Sequence, residues 1–247
     1  MQRIARHSLV ALFALLGAFT LSASVAAQTP INVTGFKTSA TPTPTPFFVN
    51  DTFTGTDGTL LSAHTGETGA AWSLHPSFTD TFVITSNRAS KDANTATSVY
   101  TASGVASSIN YTVQCPIVDI GNVNRAAGCG GWVKTAADDG IYVRRLNSTT
   151  WQFVKIIAGT PTAVPMTTGS NTVTATFSVG VTTTLKVVRT AGDNFEWFID
   201  NVSQGTATIS DSNFQAASLP NGVGWVAVRS SNNHSGTGYH IDRISAW

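Results

Sequence analysis

The chain has 247 residues, 42% of them hydrophobic and only 11% charged, with 14 basic against 13 acidic side chains. A near-neutral chain without a basic stripe lacks the electrostatic footprint of nucleic-acid binding and the polybasic cluster that holds proteins on anionic lipid. Its polar remainder is Thr, Ser, Asn and Gly, which suits strands and turns better than helices.

Residues 1–27 read as a signal peptide: Arg3 and Arg6 precede a short apolar core at 9–21, and Val25, Ala26 and Ala27 offer small residues for cleavage before Gln28. The apolar run is too short for a spanning helix. The expectation is a secreted, periplasmic or extracellular protein with no integral membrane anchor after cleavage. Both leader charges counted here are Arg, so 12 basic residues remain against 13 acidic. Residues 28–46, QTPINVTGFKTSATPTPTP, form a Thr/Pro-rich tether, extended because proline fixes φ and removes an amide donor.

From residue 47 to 247 a single domain is expected. Short alternating runs recur between turn residues, among them FFVNDTFT, FVITSNRAS, INYTVQC, GIYVRRL, WQFVKII, NFEWFID, GVGWVAVRS and HIDRISAW. No window carries a helical apolar stripe. The pattern predicts an all-β fold, two antiparallel sheets packed as a jelly-roll sandwich. Alternation puts Phe195, Trp197 and Ile199 on one face, with Glu196, Phe198 and Asp200 on the other. Likewise Val223, Trp225, Ala227 and Arg229 share a face.

Cys115 and Cys129 form an even pair, which in an exported chain points to a disulfide. Their midpoint, Asn122, lies in the turn-like DIGNVNR, so a hairpin would set them opposite each other on adjacent strands. The alternative is two buried thiols acting as small apolar groups.

The stretch DTFTGTDGTLLSAHTGETGAAW at 51–72, followed by FVITSNRAS, resembles the opening of concanavalin A-like, LamG-type domains of secreted bacterial and phage proteins. AAGCGGWVKTAADDGIYVRRLN is similar to their central strand pair, and GVGWVAVRS and HIDRISAW to their closing strands. The resemblance implies a first strand near 47–54 lying close to the last near 241–247. It also implies carbohydrate, a poly- or oligosaccharide, as the leading ligand class. It does not carry a catalytic role, since one sandwich hosts many functions.

No catalytic residue is expected. Glycoside hydrolysis needs two carboxyls about 5–10 Å apart, and the chain has two Glu, Glu67 and Glu196, neither in a Glu-x-Asp-x-Glu run. Glu196 and Asp200, four apart on a strand, would lie about 13 Å from each other. Asp138 and Asp139 before Gly140 read as a hairpin turn. No nucleophile elbow is present. His64, Glu67 and His75 lack a zinc-ligand frame. Asp51 and Asp57 do not make a calcium-loop pattern, so no cofactor is expected and a structural calcium has no specific motif behind it.

For sugar binding the candidates are aromatic planes edged by polar groups. Trp132, Tyr142 and Trp151 lie on three consecutive predicted strands, and Arg144 shares a face with Tyr142. Asn233 and His234, with Asn232, offer a second rim in SSNNHSGTG. The alternative is that the aromatics are core and the Asn-rich loop a plain turn. The leading expectation is thus a secreted, non-catalytic carbohydrate-binding or adhesion-type module. Its rivals are a structural or protein-interaction sandwich with no small ligand and a diverged glycoside hydrolase.

Overall fold

The computed structural model describes residues 46–92, 97–121, 126–175, 178–231 and 236–247. The leader, all but the last residue of the tether, and Asn232, Asn233 and His234 lie outside the described residues.

In chain order the strands are β1 (Val49–Asp51), β2 (Trp72–Leu74), β3 (Phe82–Ile84), β4 (Ala89–Lys91), β5 (Thr97–Ala102) and β6 (Thr112–Asp119). There follow β7 (Ala126–Lys134), β8 (Asp139–Arg145), β9 (Thr150–Ile157), β10 (Thr160–Ala163), β11 (Thr168–Gly169) and β12 (Thr172–Thr174). The last are β13 (Thr182–Thr190), β14 (Asn194–Ile199), β15 (Val202–Thr208), β16 (Trp225–Ser231), β17 (Tyr239–Ile241) and β18 (Ile244–Ala246).

They pair antiparallel in two sheets. The first runs β11-β15-β14-β13-β6-β17-β4-β3, with β18 also on β6 and β1 on β18. The second runs β10-β9-β8-β7-β16-β5-β2, with β12 on β9. As the resemblance implies, the first strand lies beside the last: Val49 pairs with Ala246 and Asp51 with Ile244.

The inner faces hold the main core, where alternation works as expected. Phe195, Trp197 and Ile199 of β14 all turn inward. Asp200 departs from that pattern: it stands in the turn after β14 at φ 48° and accepts from Thr184 N, so it shares no strand face with Glu196. Glu196 itself accepts from Ser203 Oγ on the outer side of the sheet.

One residue breaks alternation in a way that matters. Between Gly131 and Lys134, β7 carries an extra residue relative to β8. Trp132 sits at that bulge with φ 56°. Strict alternation from Gly128 and Gly130 would point Trp132 outward. The bulge turns it inward, onto Tyr111, with centroids 4.4 Å apart and planes at 16°. Its amide donates to Tyr111 Oη (2.7 Å), and its Nε1 donates to Ile109 O (2.8 Å).

The disulfide is present, but not as hairpin partners. Cys115 is on β6 in the first sheet and Cys129 on β7 in the second, with Cα atoms 6.2 Å apart. β6 is already paired with β13 on one side and with β17 and β18 on the other, so β7 finds no free edge there. The bridge therefore crosses the core from sheet to sheet.

Residues 51–72 form a latch around one buried carboxylate rather than a site. Asp51 is 0% exposed. Its Oδ1 accepts from Phe53 N (2.6 Å) and lies 2.9 Å from His64 Nε2, while Oδ2 accepts from Trp72 Nε1 (2.6 Å). Glu67 accepts from Thr52 N and Thr52 Oγ1. Burial raises the Glu67 pKa, but the Thr52 hydrogen bonds and its own amide outweigh this and hold it below the usual value.

Candidate functional site

The second sheet has an outer face that is only partly covered. A satellite apolar cluster lies there, comprising Val99, Val133, Tyr142, Val154, Ile156 and Ala227, with Phe78 and Trp225 half-buried against it. Cross-strand register sets the polar groups in rows. Gly128 pairs with Arg229 on one side and Arg144 on the other, and Arg144 continues to Gln152. One step along, Gly130 pairs with Ala227 and Tyr142.

Gly128 leaves the floor between the arginines bare, and Gly130 makes room for the Tyr142 ring. Neither tolerates a side chain: a Cβ would fall on Val143 O at Gly128 and on Ile141 O at Gly130, both on β8. Gly128→Ala should therefore force β7 and β8 apart and destabilise the fold by about 1–3 kcal/mol, the usual overpacking range. Thermal unfolding measures this; an unchanged transition would mean that the strands yield freely.

Two loops fold over part of the face. His75 Nε2 lies 2.6 Å from Lys134 O and 3.1 Å from Ala137 O, and its Nδ1 accepts from Ser77 N (3.2 Å). Carbonyls only accept, so His75 carries its proton on Nε2. This ties the loop after β2 to the β7–β8 turn. Asp138, in that turn as expected, is buried and accepts from Arg229 Nη1 with both oxygens (2.8 and 3.0 Å). Asp139 lies at the start of β8 instead, where Ala158 N and Asn213 Nδ2 both donate to it.

Between the loops an open groove of about 470 Å³ passes over Arg229, walled by Ser77, Phe78, Thr97, Asp138 and Gly159. Arg229 Cζ stands 5.5 Å from the Phe78 ring and 5.6 Å from the Tyr142 ring. A smaller hollow of about 200 Å³ lies along the same face, with Trp225, Ser73, Thr101 and Thr135 in its wall. Tyr142 Oη is buried and has no well-formed hydrogen bond among the described residues. Burial pushes its phenol pKa up; the Arg229 charge opposes that shift. Arg144 is half-buried and donates through Nε (3.3 Å) and Nη2 (2.9 Å) to Gln152 Oε1. Burial first, then the like charge of Arg229, lower its pKa to about 10, so the guanidinium stays charged at neutral pH.

The aromatic platform expected at Trp132, Tyr142 and Trp151 does not form. All three are 0% exposed. The bulge turns Trp132 into the core; Trp151 faces inward from β9 with Arg145 stacked 5.0 Å away; Tyr142 is on the outer face but beneath the loops. A ring with no free face has nothing for a sugar to stack on. Arg144 does share the outer face with Tyr142, as alternation requires. The half-exposed aromatics against this cluster are Phe78 and Trp225, neither of them a candidate from the sequence. Trp225, Ala227 and Arg229 share the outer face, which was the available signal, but Val223, expected with them, precedes β16 and turns into the main core. Phe78, in an irregular loop, gave none.

Solved structures of similar fold exist. The fold is a concanavalin A-like jelly roll. The carbohydrate-binding module CBM66 from Bacillus subtilis superposes with a TM-score of 0.54 at 14% identity, over 71% of this chain and 94% of that one. β-Agarase A from Zobellia galactanivorans gives 0.55 at 12% identity, over 81% and 89%. The metal-free carbohydrate recognition domain of Emp46p gives 0.50 at 9%, over 71% and 87%. At such identities the likeness is one of fold. No protein-family model matches the chain, and no curated protein matches it in sequence.

Proposed function

We propose that this is a secreted, non-catalytic carbohydrate-binding module of LamG-like type, and that the groove over Arg229 holds a stretch of poly- or oligosaccharide. The observation behind this reading is the groove itself: a half-exposed ring, Phe78, stands beside a fixed guanidinium–carboxylate pair on an open sheet face. Sugar sites combine an apolar plane with a few fixed polar groups in this way. The leader-like N-terminus and the disulfide support an extracellular setting.

Hydrolysis is a poorer reading. Asp138 is held by Arg229, and Asp139 by Ala158 and Asn213; Glu67 and Glu196 are tied to Thr52 and Ser203 away from the groove. Asp138 is the one carboxyl lining the groove among the described residues. The burial of Trp132, Tyr142 and Trp151 favours the other rival, a structural sandwich with no ligand.

Affinity electrophoresis against a panel of neutral and acidic polysaccharides separates the two. At least one polysaccharide should retard the protein, and Phe78→Ala should weaken that binding about tenfold, as loss of a stacking plane worth ~1.4 kcal/mol predicts. Free migration through every polysaccharide would establish the ligand-free sandwich instead.

A further inference from the structure

The charges on the outer face do not balance. Arg229 and Arg144 flank Gly128 in register, so their Cα atoms are two strand spacings, about 10 Å, apart. Asp138 answers Arg229, and only through Nη1. Arg144 meets the neutral amide of Gln152 and no carboxylate among the described residues. The Gln152 oxygen lies in the Nε/Nη2 fork, a position that a carboxylate takes in paired arginines. It fixes the guanidinium plane without neutralising it. A half-buried cation beside a second cation is electrostatically unfavourable unless something anionic joins it. Across the sheet the position pairs with glycine and glutamine, neither of which answers the charge.

Arg144 is not in the wall of the groove but lies beyond Gly128 on the same face. We infer that the site selects saccharides bearing an anionic group, a uronate carboxylate or a sulfate ester, which reaches out of the groove to pair with Arg144 while the sugar ring lies over the Arg229–Asp138 pair beside Phe78. This inference rests on the saccharide-binding reading and deepens it. Both anions present paired oxygens to a guanidinium, so the geometry is common to the two sources.

The test is isothermal titration with matched oligosaccharides: oligogalacturonate against its methyl ester, and a sulfated galactan oligosaccharide against its desulfated form. At least one anionic member should bind tenfold or more tightly than its neutral partner, and its affinity should fall as salt rises. Arg144→Gln should abolish the preference while Arg144→Lys keeps part of it, both with an unchanged unfolding transition. The arm that shows the preference names the anion. Equal binding within both pairs, or a preference that survives Arg144→Gln, overturns the anion inference and leaves the saccharide reading standing. Binding of none of these four, together with free migration through the full polysaccharide panel, overturns both.

Discussion

Asp51→Ala is expected to lower the free energy of unfolding by about 3 kcal/mol, since it removes a buried carboxylate on which several hydrogen bonds converge. The carboxylate is wholly buried and satisfies three groups from three places in the chain: the Phe53 amide, the His64 ring and the Trp72 indole. Each would be left as a buried polar group without a partner, at about 1–3 kcal/mol apiece, with losses that overlap rather than add. Asp51→Asn retains the shape but turns an amide NH₂ toward one of these groups, so it should be nearly as damaging. Urea denaturation provides the measurement, with the midpoint falling at constant slope. A loss under about 1 kcal/mol would mean that water replaces the carboxylate, and that residues 51–72 are not the latch described above.

Joint replacement of Cys115 and Cys129 by alanine should lower stability by about 3 kcal/mol, the chain-entropy value for a loop of roughly this length. A bridge within one hairpin would restrain strands already held by a hydrogen-bond ladder. This bridge instead joins strands in opposite sheets that share no ladder. Its loss should therefore loosen the packing of sheet on sheet before it loosens either sheet. Near-ultraviolet circular dichroism and dye binding should respond at lower denaturant than the far-ultraviolet signal does. Coincident transitions at the wild-type midpoint would show that the main core holds the sheets together unaided.

The fold was legible because period-two alternation governs both faces of an antiparallel sandwich, and residues such as Phe195 and Trp197 obey it. The disulfide partners were legible from their number alone, but not the bridge's place. Whether β6 and β7 form a hairpin depends on β13, β17 and β18 occupying both edges of β6, and those strands come later in the chain. The aromatic site was misread for a related reason. One extra residue at Trp132 reverses the face of everything beyond it, and no residue type announces that bulge. Tyr142 was put on the correct face, yet it is covered by loops fastened through His75, a pairing made across 59 positions of sequence. The groove itself is built from Phe78, Asp138 and Arg229, which meet only once three separate segments have folded.

The adjacency of β1 and β18 has a mechanical side. Val49 pairs with Ala246 at the outer end of this pair, Asp51 pairs with Ile244 further in, and the Phe47 and Trp247 rings meet at 5.4 Å. Tension applied through residues 47 and 247 would thus open this pair like a zipper, one hydrogen-bonded step at a time, rather than shearing the whole ladder at once. The tear would reach Asp51 after only three residues. There the indole of Trp72 and the ring of His64 anchor the strand from the side, so the first real resistance to pulling lies at this carboxylate and not in the ladder.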